Sequence, residues 1–186
     1  AVFATGGIGG VHRGAETSLD ISADLDELSR TNVCVVCAGV KSILDIGLTL
    51  EYLETKGVPV IGYKTSEMPA FYSTKSGFNV DYRIDAAADI ADILKTKWDL
   101  SINGGVLVTN PIPVAAELES SVMNDAINQA IIEADNEKIT GKKITPYLLS
   151  KVNEITKGKS LNANIKLIKN NADLAAKIAV HFAQKD

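Results

Sequence analysis

The feature that most constrains the fold is an apolar run, residues 33–40 (VCVVCAGV), followed at once by Lys41 and then by a helical pattern. The run is too short to cross a membrane and predicts a strand buried on both faces, as in a parallel sheet. Lys41 then lies at the strand's carboxyl end, where open α/β sheets bind ligands. Partly desolvated and beside a helix N-terminus, an amine there can act as a nucleophile. The alternative is an ordinary loop lysine whose ammonium lies in water.

The apolar periodicity of the rest of the chain predicts an α/β fold. Residues 43–56 repeat apolar side chains at helical spacing and stop at Gly57, and a strand follows at 58–63. The other predicted elements are strands at 1–4 and 106–108 and helices at 86–98, 117–136, 146–157 and 161–183. We therefore expect one domain over residues 1–186, with a mixed or mostly parallel sheet flanked by helices and a helical C-terminal part.

A glycine-rich segment, residues 5–14, follows the first predicted strand. Its backbone amides have few side chains beside them and suit phosphate or another anion. The spacing is not the dinucleotide fingerprint, because His12 stands where the third glycine belongs, and no Gly-Lys-Ser/Thr closes a Walker loop. A tight turn packed against neighbouring backbone explains the glycines equally well.

Oxygen-bearing side chains follow at Asp20, Ser22 and Asp24. On an extended segment this alternation places three oxygens on one side, where they can share a divalent cation or a sugar. Alternatively, Ser22 caps a helix that starts near Ala23, with Asp24 in its first turn. The helix accounts for Asp24 but leaves Asp20, outside it, in need of another explanation.

Taken together, these motifs resemble the pseudouridine-5'-phosphate glycosidase family. The resemblance rests on TGGIGGVHRGAETSLDISADL, VCAGVKSILDIGLTLEYLET, GVPVIGY, PAFYS, SGF, NGGVLVTNPIP, ITPYLL and SLNANI, which follow the family's order through almost the whole chain. It implies reversible cleavage of the C–C glycosidic bond of pseudouridine 5'-phosphate to uracil and ribose 5-phosphate, with a divalent metal, usually manganese. Such a bond lacks the leaving-group oxygen or nitrogen that two carboxylates act upon in ordinary glycosidases.

The resemblance also implies roles for particular residues. Lys41 matches the family's nucleophile, which forms a covalent adduct with C1' of the ring-opened ribose, and Asp20 matches the ligand of the Mn²⁺ ion. The positions that match substrate-binding or active-site positions of the family are Ser22, Ala23, Asp24, His12 and Asn164. The family further implies a homotrimer. For the substrate's phosphate we expect donors among the amides of residues 6–10, Ser22 and Arg13.

The family's enzymes also carry an N-terminal portion that has no counterpart in this sequence. The chain opens with AVFA, directly on the first predicted strand. The family's portion contains the glutamate that acts as proton donor and a lysine that contacts the substrate. We therefore expect this chain alone to lack its general acid.

Composition narrows the choice of partners and compartment. With 186 residues, a net charge of −4 and a pI near 5.2, the chain is an acidic protein without the basic stripe that grips nucleic acid. The expected substrate is therefore a free nucleotide. No membrane span or signal peptide is visible in the sequence, so we expect a cytoplasmic protein. Cys34 and Cys37, on opposite faces of the buried strand, are expected to be buried thiols, neither a zinc site nor a redox pair.

Two other functions remain open. A non-catalytic module for sugar phosphates or nucleotides would keep the glycine-rich segment and Asp20 and would bind its ligand and Mn²⁺ without turnover. An aldolase-like lyase would use Lys41 as a Schiff-base residue on a simple sugar phosphate. Release of uracil distinguishes the glycosidase from both.

Overall fold

The computed structural model describes residues 1–139 and 141–184, with the backbone alone of Lys142. The strands are β1 (Val2–Ala4), β2 (Val11–His12), β3 (Cys34–Cys37), β4 (Leu44–Asp45), β5 (Val60–Tyr63), β6 (Tyr82–Ile84) and β7 (Val106–Thr109). The α-helices are α1 (Ala15–Ser18), α2 (Ala23–Arg30), α3 (Ile46–Thr55), α4 (Ala87–Asp99), α5 (Ser120–Asn136), α6 (Ile144–Ile155) and α7 (Lys159–Ala183). Short 3₁₀ turns occupy Val114–Ala116 and Gly141–Lys143.

Five parallel strands form the central sheet in the order β1-β3-β7-β5-β6, which confirms the predicted α/β class. Strands β2 and β4 pair with each other as a small antiparallel ribbon. Because β1 and β3 are parallel neighbours, the segments that follow them, the glycine-rich segment and Lys41, emerge at the same edge of the sheet. This edge is where the sequence predicts the site.

The sheet is covered on both faces, and β3 is completely buried between them. Cys34 belongs to the core that α4 and α7 build with one face, and Cys37 belongs to the core on the other face. Burial raises the pKa of each thiol to about 12. Both cysteines are free, so the prediction of buried thiols on opposite faces is confirmed.

Helix α3 begins later than the sequence pattern suggests. Leu44 and Asp45 pair with β2, and the Asp45 carboxylate then caps the helix by accepting from the amide of Leu48 at 2.9 Å. The helix therefore starts at Ile46, and Lys41 does not lie at its N-terminus as predicted. Apolar spacing does not distinguish two residues of ribbon from the first turn of a helix.

Neither β2 nor β6 was predicted as a strand. Strand β6 is three residues long and lies at the edge of the sheet, where Tyr82 is 65% exposed. A short exposed edge strand lacks the apolar run that reveals a buried one. Within the described residues, no helix has the length and apolar character needed to cross a bilayer.

Candidate active site

The site lies where three chain segments meet beyond the carboxyl ends of β1 and β3. The glycine-rich segment lies between the segment that contains Lys41 and the segment that contains Asp20 and Ser22. The amide of Lys41 donates to the carbonyl of Ile8 at 3.1 Å. On the other side, the amide of His12 donates to the carbonyl of Asp20 at 3.0 Å, and the amide of Ser22 donates to the carbonyl of Gly10 at 3.0 Å. Backbone hydrogen bonds thus bring together the residues that the sequence singled out in the first part of the chain.

The glycines of this segment make room for protein side chains. A Cβ on Gly7 would lie 2.6 Å from the ring of Phe71, and one on Gly10 would lie 2.5 Å from the Thr49 hydroxyl. Real Cβ atoms do not approach so closely, so each position admits only glycine without a shift of its neighbour. The interpretation of the glycines as close packing is therefore supported.

Two of the amides expected to bind phosphate already have acceptors. The amide of Ile8 donates to the carbonyl of Gly39 at 3.1 Å, and the amide of Gly9 donates to the Asp24 carboxylate at 2.7 Å. Arg13 lies on a different and larger cavity of about 870 Å³, where it donates to Asn128 at 3.3 Å. These three groups therefore do not supply a phosphate site beside Lys41.

Lys41 and Asn164 share one cavity of about 280 Å³. Lys41 is half-buried at the end of the loop that follows β3, and Asn164 comes from the second turn of α7. The remaining lining includes backbone of the glycine-rich segment and a mostly apolar wall, made by Thr5, Gly6, Gly7, Phe71, Tyr72, Leu149, Asn153, Ser160, Leu161 and Ile168. Lys41 is thus the one acidic or basic side chain among the described residues that line this cavity.

The amide oxygen of Asn164 is buried and accepts no hydrogen bond from the described residues. Leaving a buried polar atom without a partner is costly, and native proteins rarely do so. A Cβ on Gly6 would lie 3.0 Å from this oxygen, so the glycine allows the helix to approach. A ligand that brought a hydroxyl or amine into the cavity would supply the missing donor.

The acidic residues form a second and more open group. The Nδ1 atom of His12 lies 3.9 Å from the Asp20 carboxylate, and the Asp20 side chain is 44% exposed. Ser22 caps α2 by accepting from the amide of Asp24 at 3.3 Å, and Ala23 is the first residue of that helix. None of these five residues lines the cavity of Lys41 and Asn164.

The donor set near Asp20 suits only a cation that keeps most of its water. Among the described residues, no three histidine, cysteine or acidic side chains come together as a metal cluster. Asp20 offers an exposed carboxylate with one imidazole nearby. Hard divalent cations accept such sites, in which one or two carboxylates bind and water or substrate oxygens fill the remaining positions.

The sequence analysis did not identify a pair of buried asparagines beside the site. The side-chain amide of Asn110, which follows β7, donates to Asn171 of α7 at 3.2 Å. Asn171 in turn donates to the carbonyl of Thr5 at 2.8 Å, so α7 is tied to the start of the glycine-rich segment. A signal was available, because Asn171 lies two helical turns after Asn164 among the apolar residues Leu167 and Leu174.

The aromatic wall of the cavity was missed as well. Phe71 has a φ of 64°, which is uncommon for a bulky residue, and its ring packs edge-on against that of Tyr72 with centroids 4.7 Å apart. Burial raises the pKa of the Tyr72 hydroxyl, against a smaller opposing effect of a hydrogen bond with Ser160. The hydroxyl therefore stays protonated at neutral pH.

The amino-acid sequence of this chain is similar to those of known proteins. The family described as indigoidine synthase A like protein matches residues 1–181. A pseudouridine-5'-phosphate glycosidase of Geobacillus kaustophilus is 65% identical over 96% of this chain and 59% of its own length. One of Clostridium botulinum is 60% identical over 98% of this chain and 60% of its own. The chain thus spans about three fifths of the length of these relatives.

Two solved structures share the fold. The prealnumycin C-glycosynthase AlnA, in complex with ribulose 5-phosphate, superimposes with a TM-score of 0.92 at 37% identity, over 98% of this chain and 60% of that one. An indigoidine synthase A-like protein of Thermotoga maritima gives a TM-score of 0.86, also at 37% identity, over 95% and 57%. Given the match across residues 1–181, this chain belongs to the family described as indigoidine synthase A like protein.

Proposed function

We propose that the protein to which this chain belongs is a pseudouridine-5'-phosphate glycosidase that uses Lys41 as its nucleophile. The observation that carries the proposal is the place of Lys41, just beyond the completely buried strand β3 and in one cavity with the unsatisfied Asn164. Supporting it are relatives of that name at about 60% identity or more over almost the whole chain. A cavity of about 280 Å³ has room for a pentose phosphate.

The proposed reaction makes and breaks bonds at C1' without any net oxidation. The neutral amine of Lys41 bonds to C1' as the bond from C1' to the ring oxygen breaks, and that oxygen takes up a proton. The nitrogen lone pair then forms a C1'=N double bond as the bond from C1' to C5 of uracil breaks, and C5 is protonated. Water hydrolyses the imine, which releases ribose 5-phosphate and returns Lys41 as the free amine.

The proton for C5 has no assigned donor in this chain. In the family that this sequence resembles, the donor is a glutamate outside the part that this chain spans. We propose that the same holds here. Tyr72, whose buried hydroxyl stays protonated in the cavity wall, would contact the sugar and would not replace that acid.

Asp20 would hold the divalent metal, which we propose to be Mn²⁺, with His12 as its neighbour. When bound, such a cation stabilises negative charge on substrate oxygens. The Asp24 carboxylate is already engaged by the amide of Gly9, so its contribution is to fix the glycine-rich segment beside Lys41. Ser22 contributes in the same way, because its amide donates to the carbonyl of Gly10 at 3.0 Å, and Ala23 follows it as the first residue of α2.

Uracil release tests the proposal directly. The full-length gene product and this chain alone are each incubated with pseudouridine 5'-phosphate and Mn²⁺, and uracil is measured by chromatography. We expect release by the full-length protein and none by this chain alone. Absence of release by both would contradict the glycosidase.

A binding module is the second candidate, because a cavity lined by Lys41 and by the unsatisfied amide of Asn164 would also serve a protein that binds a sugar phosphate without turnover. It predicts saturable binding of ribose 5-phosphate and Mn²⁺ with no product in either protein. Calorimetric titration of both ligands separates this outcome from a protein that binds neither.

A further inference from the structure

The wall of the Lys41 cavity is a strained loop that other parts of the chain hold in place. The amide of Phe71 donates to the carbonyl of Ala38 at 3.0 Å, and the amide of Leu118 donates to the carbonyl of Tyr72 at 2.9 Å. Phe71 keeps a left-handed backbone with φ of 64°. A residue of this kind remains in such a conformation only when its surroundings fix it.

Glu117 provides the most concentrated set of contacts to this loop. One of its carboxylate oxygens accepts from the Ser73 hydroxyl at 3.0 Å, from the Thr74 amide at 2.7 Å and from the Thr74 hydroxyl at 2.9 Å. Desolvation acts to raise the pKa of Glu117, but the hydrogen bonds from Thr74 and Ser73 outweigh it and lower the pKa. The group is therefore a carboxylate at neutral pH, and bonds to a charged acceptor are the strong ones.

The position of these donors connects Glu117 to the cavity. Ser73 and Thr74 directly follow Phe71 and Tyr72, whose side chains line the space beside Lys41. Leu118, next to Glu117, holds Tyr72 from the same segment. Glu117 itself does not line the cavity, so it acts on a bound sugar only through the loop.

We propose that Glu117 is a positioning residue that sets the aromatic wall of the Lys41 cavity. Its carboxylate fixes Ser73 and Thr74, and these fix the strained backbone that presents Phe71 and Tyr72 to the substrate. Loss of the carboxylate lets the wall relax, which widens the cavity and misplaces the sugar with respect to the Lys41 amine. The catalytic part of this inference rests on the proposed function.

The test uses three variants of the full-length protein: Glu117→Ala, Glu117→Gln and, as the matched control, Glu119→Ala. Glu119 lies two residues away and is exposed, and its carboxylate accepts from the nearby Ser121 hydroxyl at 2.7 Å. For Glu117→Ala we expect kcat/KM to fall roughly 10- to 100-fold, because small misplacements at a reacting centre cost that much. Glu117→Gln, which keeps an acceptor oxygen, should recover most of the loss, and Glu119→Ala should match the wild type.

Hydrogen exchange at the Thr74 and Phe71 amides gives a readout that does not depend on turnover. We expect faster exchange in Glu117→Ala than in Glu119→Ala, with unchanged exchange in β3. If exchange and kcat/KM are the same in Glu117→Ala and Glu119→Ala, the proposal is wrong. A wild-type protein without uracil release would contradict the proposed function instead, and the exchange data together with ribose 5-phosphate affinity would still decide the role of Glu117.

Discussion

The two halves of the candidate site are built in opposite ways. Around Lys41, a buried strand end, an aromatic wall and helix α7 enclose a cavity with an unsatisfied amide oxygen. Around Asp20, the side chain is 44% exposed, and the Nδ1 atom of the His12 imidazole lies 3.9 Å from its carboxylate. The difference shows what each half can do, because an enclosed amine suits covalent chemistry, whereas an open carboxylate suits a hydrated cation.

The largest effect is expected at Lys41. Replacement by alanine or by arginine should lower kcat of the full-length protein by at least about 1,000-fold, because each variant removes the nucleophile. Arginine keeps the positive charge, so its failure separates nucleophilic from electrostatic action. Circular dichroism should show an unchanged fold, since Lys41 is only half-buried. Uracil release by either variant near the wild-type rate would show that Lys41 is not the nucleophile.

A smaller and different effect is expected at Asp20. Asp20→Asn should raise the Mn²⁺ concentration needed for half-maximal activity roughly 10- to 100-fold while leaving covalent trapping at Lys41 possible. Glu16→Gln, an exposed acidic neighbour, is the control. Calorimetric titration with Mn²⁺ measures the binding itself. Equal Mn²⁺ dependence of both variants would show that the open half does not hold the metal.

Packing of the enclosed half is tested by two glycines that each face a phenylalanine ring. Gly7→Ala should destabilise the protein by about 1–3 kcal/mol, because the new Cβ would lie 2.6 Å from the buried ring of Phe71. Gly47→Ala places its Cβ 2.9 Å from Phe78, which is 45% exposed and free to move, and it removes a glycine from α3. We expect it to be neutral or stabilising by up to about 1 kcal/mol. Urea unfolding measures the stability of both variants. Equal losses of stability would contradict a rigid aromatic wall at Phe71.

The last expected effect concerns the cysteines beneath the site and appears only at alkaline pH. The pKa of each thiol rises from an ordinary 9.0 to about 12 on burial, so between those pH values the unfolded chain loses protons that the folded chain keeps. Stability should therefore be unaffected below pH 9 and decline above it, by up to about 1.4 kcal/mol per pH unit for each thiol. Urea unfolding at pH 8 and pH 10 should show a smaller decline in the Cys34→Ala/Cys37→Ala variant. An equal decline in both proteins would mean that other groups cause it.

The enclosed half was only partly predictable from the sequence. A strand buried on both faces produces the continuous apolar run that ends at Lys41, so the strand and the place of the lysine followed from one pattern. The aromatic wall and the Glu117 carboxylate that holds it did not follow from a sequence pattern. Glu117 lies 44 residues from Ser73 and 43 residues from Thr74, which donate to it. Asn171 contacts Thr5 across 166 residues. No local pattern encodes contacts of this kind.

For the open half of the site, around Asp20, the sequence allowed two interpretations. Ser22 does cap a helix, as one interpretation held. The other interpretation placed the three oxygens on an extended segment, whereas Asp24 lies in α2 and its carboxylate accepts from the amide of Gly9. Helix α3 was placed too early because the ribbon pairing of Leu44 and Asp45 depends on β2, which lies elsewhere in the chain. Long-range pairing thus limited the prediction in both halves.

Borohydride trapping tests the central claim most directly. The full-length protein is incubated with ribose 5-phosphate, reduced, digested and analysed by mass spectrometry to find the modified residue. The account predicts one stable pentose phosphate adduct, on the peptide that contains Lys41, and its loss in Lys41→Arg. An adduct on another lysine, or none while uracil release continues, would contradict the role of Lys41.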